Sequence, residues 1–324
     1  MTDVVCLRPE ADFARVDALP PASIGVAYRA PDSADVPQLI RAAKALVIPA
    51  VGPKLAPALF AGTSLKLVQV TGAGLDRLDK DALVKIGIPV CNVPGGSNSA
   101  VGEYGVATAS MLLRRFGWAD AEIKRGNYAA FRARLLADNL AGIEGLLVGV
   151  IGLGVIGAAV AQAFAKAGCR ICYFDPAPQA TKAAKATGAQ SMPLDDLLRS
   201  ADVVTVHVPL LANTTGLIGA RELGLMKKDA VLIQASRGGI VVEQALADAL
   251  RSGHLGGAAV DVYSAEPPDP DNPLLRLDGE AAHRLLLTPH IAGVTRQSAT
   301  FLFRSAWENV ERVLSGAPPL NRAY

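Results

Sequence analysis

The chain has 324 residues, 51% hydrophobic and 19% charged, a balance that excludes a disordered or polyampholyte protein. At ~150 residues per domain the length predicts two domains, enough to bury a core without disulfides or metals. Lys and Arg (32) nearly balance Asp and Glu (30), with no basic run longer than Arg114-Arg115 or Lys227-Lys228. No nucleic-acid partner and no anionic membrane surface is therefore expected.

The first hundred residues alternate short apolar runs with helical patterns. Strands are expected at Val4–Leu7, Ile24–Ala27, Ala45–Ile48, Val68–Val70 and Pro89–Cys91, with helices at Val36–Ala43, Pro53–Phe60 and Lys80–Ile86 between them. Such alternation predicts a parallel sheet covered by helices. Asn92 to Ser99 is a turn-rich break, and a long helical pattern, Val101 to Phe116, follows it. Trp118 to Ala141 is polar and helical in part, and is read as an arm or a dimer element.

From Leu146 the alternation restarts. Strands are expected at Leu146–Ile151, Arg170–Asp175, Val203–His207, Ala230–Gln234, Gly257–Asp261 and Leu285–Leu287, a full doubly wound sheet. An amphipathic helix, about Gln297 to Leu314, and a Pro-rich tail close the chain. The fold class is therefore α/β, a Rossmann-type doubly wound parallel sheet beside a second, smaller α/β domain.

Gly145 to Ala165 carries no charge and is long enough to imitate a membrane span. A buried strand, a glycine turn and a buried helix in succession give the same hydropathy and also account for the glycine spacing. Cys169 and Cys172 form a CxxC, but CRICYFD alternates like a strand, whose residues three apart face opposite ways. Cys6, Cys91, Cys169 and Cys172 are therefore read as core residues. The first thirty residues show no basic stretch followed by an apolar one, so a cytoplasmic location is expected.

Gly152-Leu-Gly154-Val-Ile-Gly157 follows an apolar strand and opens a helix, with Asp175 at the end of the next strand. That context is the dinucleotide-binding fingerprint. Gly152 permits the tight turn, Gly154 lets backbone approach a pyrophosphate, and Gly157 lets helix pack on strand. Asp175 suits the adenosine ribose hydroxyls, and Pro176-Ala177 offers no arginine for a 2′-phosphate, which favours NAD over NADP.

Three further motifs stand at ends of later strands, where open α/β sheets place ligands. They are Ala235-Ser236-Arg237-Gly238-Gly239, the run Asp261 to Pro267 containing Glu266, and Thr288-Pro289-His290. An arginine beside two glycines can present its fork to a carboxylate. His254, His283, Trp118 and Trp307 are read as surface, packing or interface residues.

Over nearly its whole length the sequence resembles the D-isomer-specific 2-hydroxyacid dehydrogenases. The resemblance rests on TGAGLDRLD (Thr71–Asp79), NVPGGSNSAVGEY (Asn92–Tyr104), GLGVIG, HVPLLANTTGLI (His207–Ile218), SRGG, DVYSAEP and TPHIAG (Thr288–Gly293). It implies a catalytic triad of Arg237, Glu266 and His290 at an interdomain cleft, NAD as cofactor and no metal. His290 would give the proton and Glu266 would hold its ring, while Arg237 would grip the substrate carboxylate. It further implies cofactor contacts from Val155, Ile156, His207, Pro209, Thr214, Ala235, Ser236, Asp261 and Gly293, with Asp261 on the nicotinamide carboxamide. Thr71, Gly72, Ala73 and Gly74 would help bind substrate.

By the same resemblance, residues 1–99 and 291–324 form a flavodoxin-like substrate domain and 100–290 the NAD-binding domain, in a homodimer. Gln234, Val242, Tyr104 and Ser264 depart from the common pattern without removing a catalytic group. The expected substrate is a small 2-keto or D-2-hydroxy acid of the glyoxylate, hydroxypyruvate or pyruvate type. D-3-phosphoglycerate is the alternative, weakened because Pro49-Ala50 stands where phosphoglycerate dehydrogenases commonly carry an arginine, although Lys54 lies near. A non-enzymatic NAD(H)-sensing protein, like the corepressors of this fold, is the alternative from another class.

Overall fold

The computed structural model describes residues 2–177 and 180–324. Contacts divide the chain into two compact units, Met1–Ser97 with Val294–Tyr324, and Asn98–Gly293, against the breaks expected near 99 and 290.

The first unit holds five strands, β1 (Val4–Cys6), β2 (Val26–Tyr28), β3 (Ala45–Ile48), β4 (Leu67–Val70) and β5 (Val90–Cys91), all parallel in the order β2-β1-β3-β4-β5. Helices α1 (Glu10–Ala14), α2 (Val36–Ala42) and α3 (Lys80–Ile86) lie between them in sequence. Strands β3 and β4 are buried along their whole length, as a parallel sheet covered on both faces requires. One face packs with Ile40, Phe60 and Leu83. The other packs with Phe13 and with Phe303, Trp307 and Val310 of the last helix, which runs Arg296–Leu314.

Buried Gln69 stands in the otherwise apolar β4. Its side-chain oxygen accepts from Asn309 Nδ2 of that helix at 2.6 Å, and Asn309 Oδ1 accepts from the Leu320 amide at 2.7 Å. One amide pair thus satisfies a polar core position and fixes the returning chain.

The second unit opens with α4 (Asn98–Leu113), α5 (Phe116–Lys124) and α6 (Tyr128–Ala137). Its seven strands are β6 (Leu147–Ile151), β7 (Arg170–Phe174), β8 (Gln190–Ser191), β9 (Val203–Val206), β10 (Val231–Gln234), β11 (Gly257–Val260) and β12 (Leu285–Leu287). All are parallel, ordered β12-β11-β10-β9-β6-β7-β8. Helices α7 (Val155–Lys166), α8 (Ala180–Thr187), α9 (Leu194–Ser200), α10 (Ala220–Leu225), α11 (Glu243–Arg251) and α12 (Gly279–His283) alternate with them, and the helix of the returning segment is α13. The strand order reverses between β6 and β9, the switch point where such sheets bind ligands. The charge-free run Gly145–Ala165 resolves into β6, the glycine turn and most of α7. Among the described residues no helix is long and apolar enough to cross a membrane.

Several expected elements change. Pro53–Phe60 shortens to a 3-10 turn at Pro57–Phe60, because Pro53 and Pro57 deny it helical amides. The helix expected over Val101–Phe116 breaks at Arg115, which takes a left-handed φ of 51°. β8 adds a strand to the expected six, and α1 adds a helix.

Candidate active site

The glycine turn joins β6 to α7 at the switch point. A Cβ on Gly157 would lie 1.9 Å from the Gly152 carbonyl oxygen, so no other residue fits there. Gly152 has a φ of 91°, and a Cβ there would fall 2.9 Å from the His207 carbonyl just after β9. Gly154 is the N-cap of α7 and supplies no side chain to its first amides, while the space where its Cβ would point is open. A helix start bare of protein acceptors is suited to a phosphate. Asp175 Oδ2 accepts from the Leu153 amide at 2.7 Å and Oδ1 from the Ala177 amide at 2.8 Å. Its carboxylate therefore braces the glycine turn.

Across the switch point, His207 Nε2 pairs with Thr205 Oγ1 at 2.7 Å, while Nδ1 is buried with no partner among the described residues. Burial pushes the pKa of His207 down to about 4, so the ring is neutral at pH 7. Thr214 Oγ1 donates to the Pro209 carbonyl and accepts from the Leu211 amide, closing the loop after β9 on itself. Val155 and Leu211 are left exposed nearby in sequence to these turns.

The motifs carrying Arg237, Glu266 and His290 follow β10, β11 and β12, which are consecutive neighbours in the sheet and so present their loops at one edge. Gln234, fully inside the sheet, receives Ser236 Oγ on its oxygen and donates from its nitrogen to the Arg237 carbonyl, both at 2.8 Å. This departure from the common pattern shapes the turn carrying Arg237, whose Nη1 donates to the Ser236 carbonyl at 2.7 Å. Gly238 lies so close to the next loop that a Cβ would fall 1.8 Å from the Tyr263 carbonyl oxygen.

That next loop carries Glu266. Its Oε1 accepts from the Tyr263 amide at 3.1 Å, and Oε2 meets His290 Nδ1 at 2.8 Å. Glu243 at the start of α11 receives the amide and hydroxyl of Ser264 and the Asn272 side chain. Ser264, one of the departures from the common pattern, is thus part of the loop's anchorage.

His290 has a left-handed φ of 56°, costly for a non-glycine residue. Its amide donates to the Asp261 carbonyl at 2.8 Å, and the buried Asp261 carboxylate accepts from the amides of Ile291 and Ala292, each at 2.8 Å. Asp261 Oδ1 also receives Thr288 Oγ1 at 2.6 Å. Beyond any cofactor contact, Asp261 therefore fastens the turn that sets His290. Gly293 ends this segment.

In the first unit, Thr71 ends β4 with its amide on the Ile48 carbonyl at 2.9 Å. Gly72 packs against Ala50, Asn92 Nδ2 donates to the Ala73 carbonyl, and the amides of Ala73 and Gly74 have no acceptor among the described residues. Arg77, unforeseen from sequence, is buried and pins the loop after β3 by donating to the carbonyls of Pro49 and Pro53. Trp118 is a buried packing residue as expected, and His283 is more than a surface residue, since its ring stacks on Trp118 at 5.1 Å between α12 and α5.

Comparison with known proteins identifies the family. The sequence profile of the "D-isomer specific 2-hydroxyacid dehydrogenase, NAD binding domain" matches residues 106–292. The chain belongs to the D-isomer specific 2-hydroxyacid dehydrogenase family. Within that family it is 36% identical over 266 residues to a D-3-phosphoglycerate dehydrogenase of Archaeoglobus fulgidus, covering 82% of this chain and 48% of the relative. To a glyoxylate reductase of Aeropyrum pernix it is 35% identical, covering 79% and 76%. The structure of a D-lactate dehydrogenase from Treponema pallidum superimposes with a TM-score of 0.80 at 26% identity, covering all of both chains. The chain spans about half the length of the phosphoglycerate dehydrogenase relatives. The matched NAD-binding region contains the glycine turn, Asp175, Arg237, Glu266 and His290. The bare start of α7, the open space at Gly154 and the orphaned His207 Nδ1 fit a dinucleotide.

Proposed function

We propose that the protein is an NAD-dependent oxidoreductase that interconverts a small, unphosphorylated 2-keto acid and its D-2-hydroxy acid, of the glyoxylate, hydroxypyruvate or pyruvate type. The observation that carries this reading is the 2.8 Å pair of His290 Nδ1 and Glu266 Oε2 on the same sheet edge as Arg237. When bound, NADH supplies the hydride that reduces the keto carbon. The start of α7 with Gly152, Gly154, Val155, Ile156 and Gly157 would hold the pyrophosphate, and Asp175 the ribose. His207, Pro209, Thr214, Ala235, Ser236, Asp261 and Gly293 would line the rest.

With Nδ1 held by Glu266, the other ring nitrogen of His290 donates the proton to the keto oxygen. Arg237 grips the substrate carboxylate and polarises the carbonyl, and the backbone at Thr71, Gly72, Ala73 and Gly74 helps bind substrate. On this reading residues 1–99 and 291–324 bind substrate and 100–290 bind NAD. The protein works in the cytoplasm as a homodimer, with neither nucleic acid nor membrane as partner. Exposed Phe116, Ile123, Tyr128 and Leu136 on α5 and α6 support self-association.

The phosphoglycerate dehydrogenase relatives favour a second reading, a phosphorylated substrate. Pro49-Ala50 and the buried Arg77, already committed to backbone carbonyls, supply no phosphate contact against it. NADH oxidation with glyoxylate, hydroxypyruvate, pyruvate and 3-phosphohydroxypyruvate separates the two. Turnover should be fastest with an unphosphorylated acid. Tight NADH binding without turnover, in wild type and His290→Ala alike, would point instead to a dinucleotide-sensing protein.

A further inference from the structure

We propose that Tyr104 is a positioning residue for the reaction, its hydroxyl acting through Thr288 and Asp261 on the turn that aims His290. This rests on the reading of His290 as proton donor. Tyr104 lies on α4, far in sequence from the catalytic loops, yet its hydroxyl is 2.8 Å from Thr288 Oγ1. Thr288 Oγ1 is in turn 2.6 Å from Asp261 Oδ1.

The direction of this chain follows from chemistry. A carboxylate only accepts, so the threonine hydroxyl must donate to Asp261. That uses its single proton, so the tyrosine hydroxyl must donate to the threonine. Burial raises the pKa of Tyr104 to about 12, which keeps the phenol protonated for that task.

Asp261 then holds three successive residues. Its carbonyl takes the His290 amide, and its two carboxylate oxygens take the amides of Ile291 and Ala292. Thr288 is fixed on its other side too, because its amide donates to the Val260 carbonyl and its carbonyl accepts from Tyr263 Oη at 3.0 Å. A left-handed histidine persists only where its surroundings over-determine it. The chain from Tyr104 supplies one of those constraints, at a position where this sequence departs from its family's common residue.

Tyr104→Phe keeps the ring and removes only the hydroxyl. It should lower kcat about three- to tenfold, the worth of one neutral hydrogen bond. KM for the keto acid and the NADH dissociation constant should stay within about twofold. Thr288→Val should lower kcat about ten- to a hundredfold, because it strips a donor from a charged group, and Thr288→Ser should restore most of it. In a His290→Ala background Tyr104→Phe should cost nothing further, whereas a merely structural tyrosine would cost the same in both.

A readout independent of turnover is the low-field His290 Nδ1 proton in NMR spectra, assigned by its loss in His290→Ala. Tyr104→Phe should broaden or shift it. An unchanged kcat with an unchanged signal, or an equal loss of kcat in both backgrounds, would overturn the proposal. A wild type inactive on every keto acid would overturn the functional reading instead, and the proton signal would then decide this one alone.

Discussion

His290 and Glu266 are far apart in sequence and meet at 2.8 Å, and their chemistry sets the clearest expectations at the residue scale. His290→Ala should lower kcat by about 10²- to 10⁴-fold, with NADH affinity by fluorescence titration little changed. Glu266→Gln keeps a hydrogen-bonding group but removes the charge, and should cost about ten- to a hundredfold in kcat. His207 carries a pH expectation. Its folded pKa, about 4, lies below the ordinary 6.5, so the unfolded chain takes up a proton that the folded one refuses. Stability is therefore untouched by this group above about pH 6.5 and falls as pH drops toward 4, by up to roughly 3 kcal/mol. Urea midpoints at pH 7 and pH 4.5 should differ less in His207→Gln than in wild type. Gly152, Gly157, Asp175, Arg237, Glu266 and His290 stood out in sequence because each belongs to a motif that follows a strand and has a recognisable chemistry. Gln234, Glu243 and Arg77 were not. They act by bonding to backbone, and no residue type announces which carbonyl or amide it will reach.

At the scale of elements, strands were the easier part. A parallel sheet covered on both faces needs continuous apolar runs, and Ala45–Ile48 and Val231–Gln234 supply them. β8 escaped because Gln190 and Ser191 are polar and exposed at the sheet edge. The break at Arg115 escaped because the stretch Val106–Phe116 around it contains neither proline nor glycine. Nor does any pattern in α13 show that Asn309 seeks Gln69, since both are polar residues in apolar surroundings. Asn309→Leu would leave the buried Gln69 oxygen without a donor and the Leu320 amide without an acceptor. Stability should fall by about 1–3 kcal/mol, read as a lower denaturant midpoint with the slope unchanged.

At the scale of the molecule, composition predicted two domains, but only the motifs and the fold show that one of the two units is discontinuous. The apolar residues on α5 and α6 belong to this scale as well, because they lie in the segment that neither sheet claims. Tyr128→Glu combined with Leu136→Glu should turn a dimer into a monomer in sedimentation experiments. A wild type that sediments as a monomer would remove the dimer from the functional reading.

The discontinuity of the first unit bears on how the protein is made. Synthesis runs from the N-terminus, so all five strands of the first sheet leave the ribosome long before α13. Until then the sheet face made by Val4, Cys6, Ala45, Val47 and Leu67 lacks Phe303, Trp307 and Val310. The whole intervening unit, Asn98–Gly293, emerges and has its strands complete during that interval. The first unit is therefore begun before the second and completed after it, and its half-covered sheet is the surface a nascent-chain chaperone would guard.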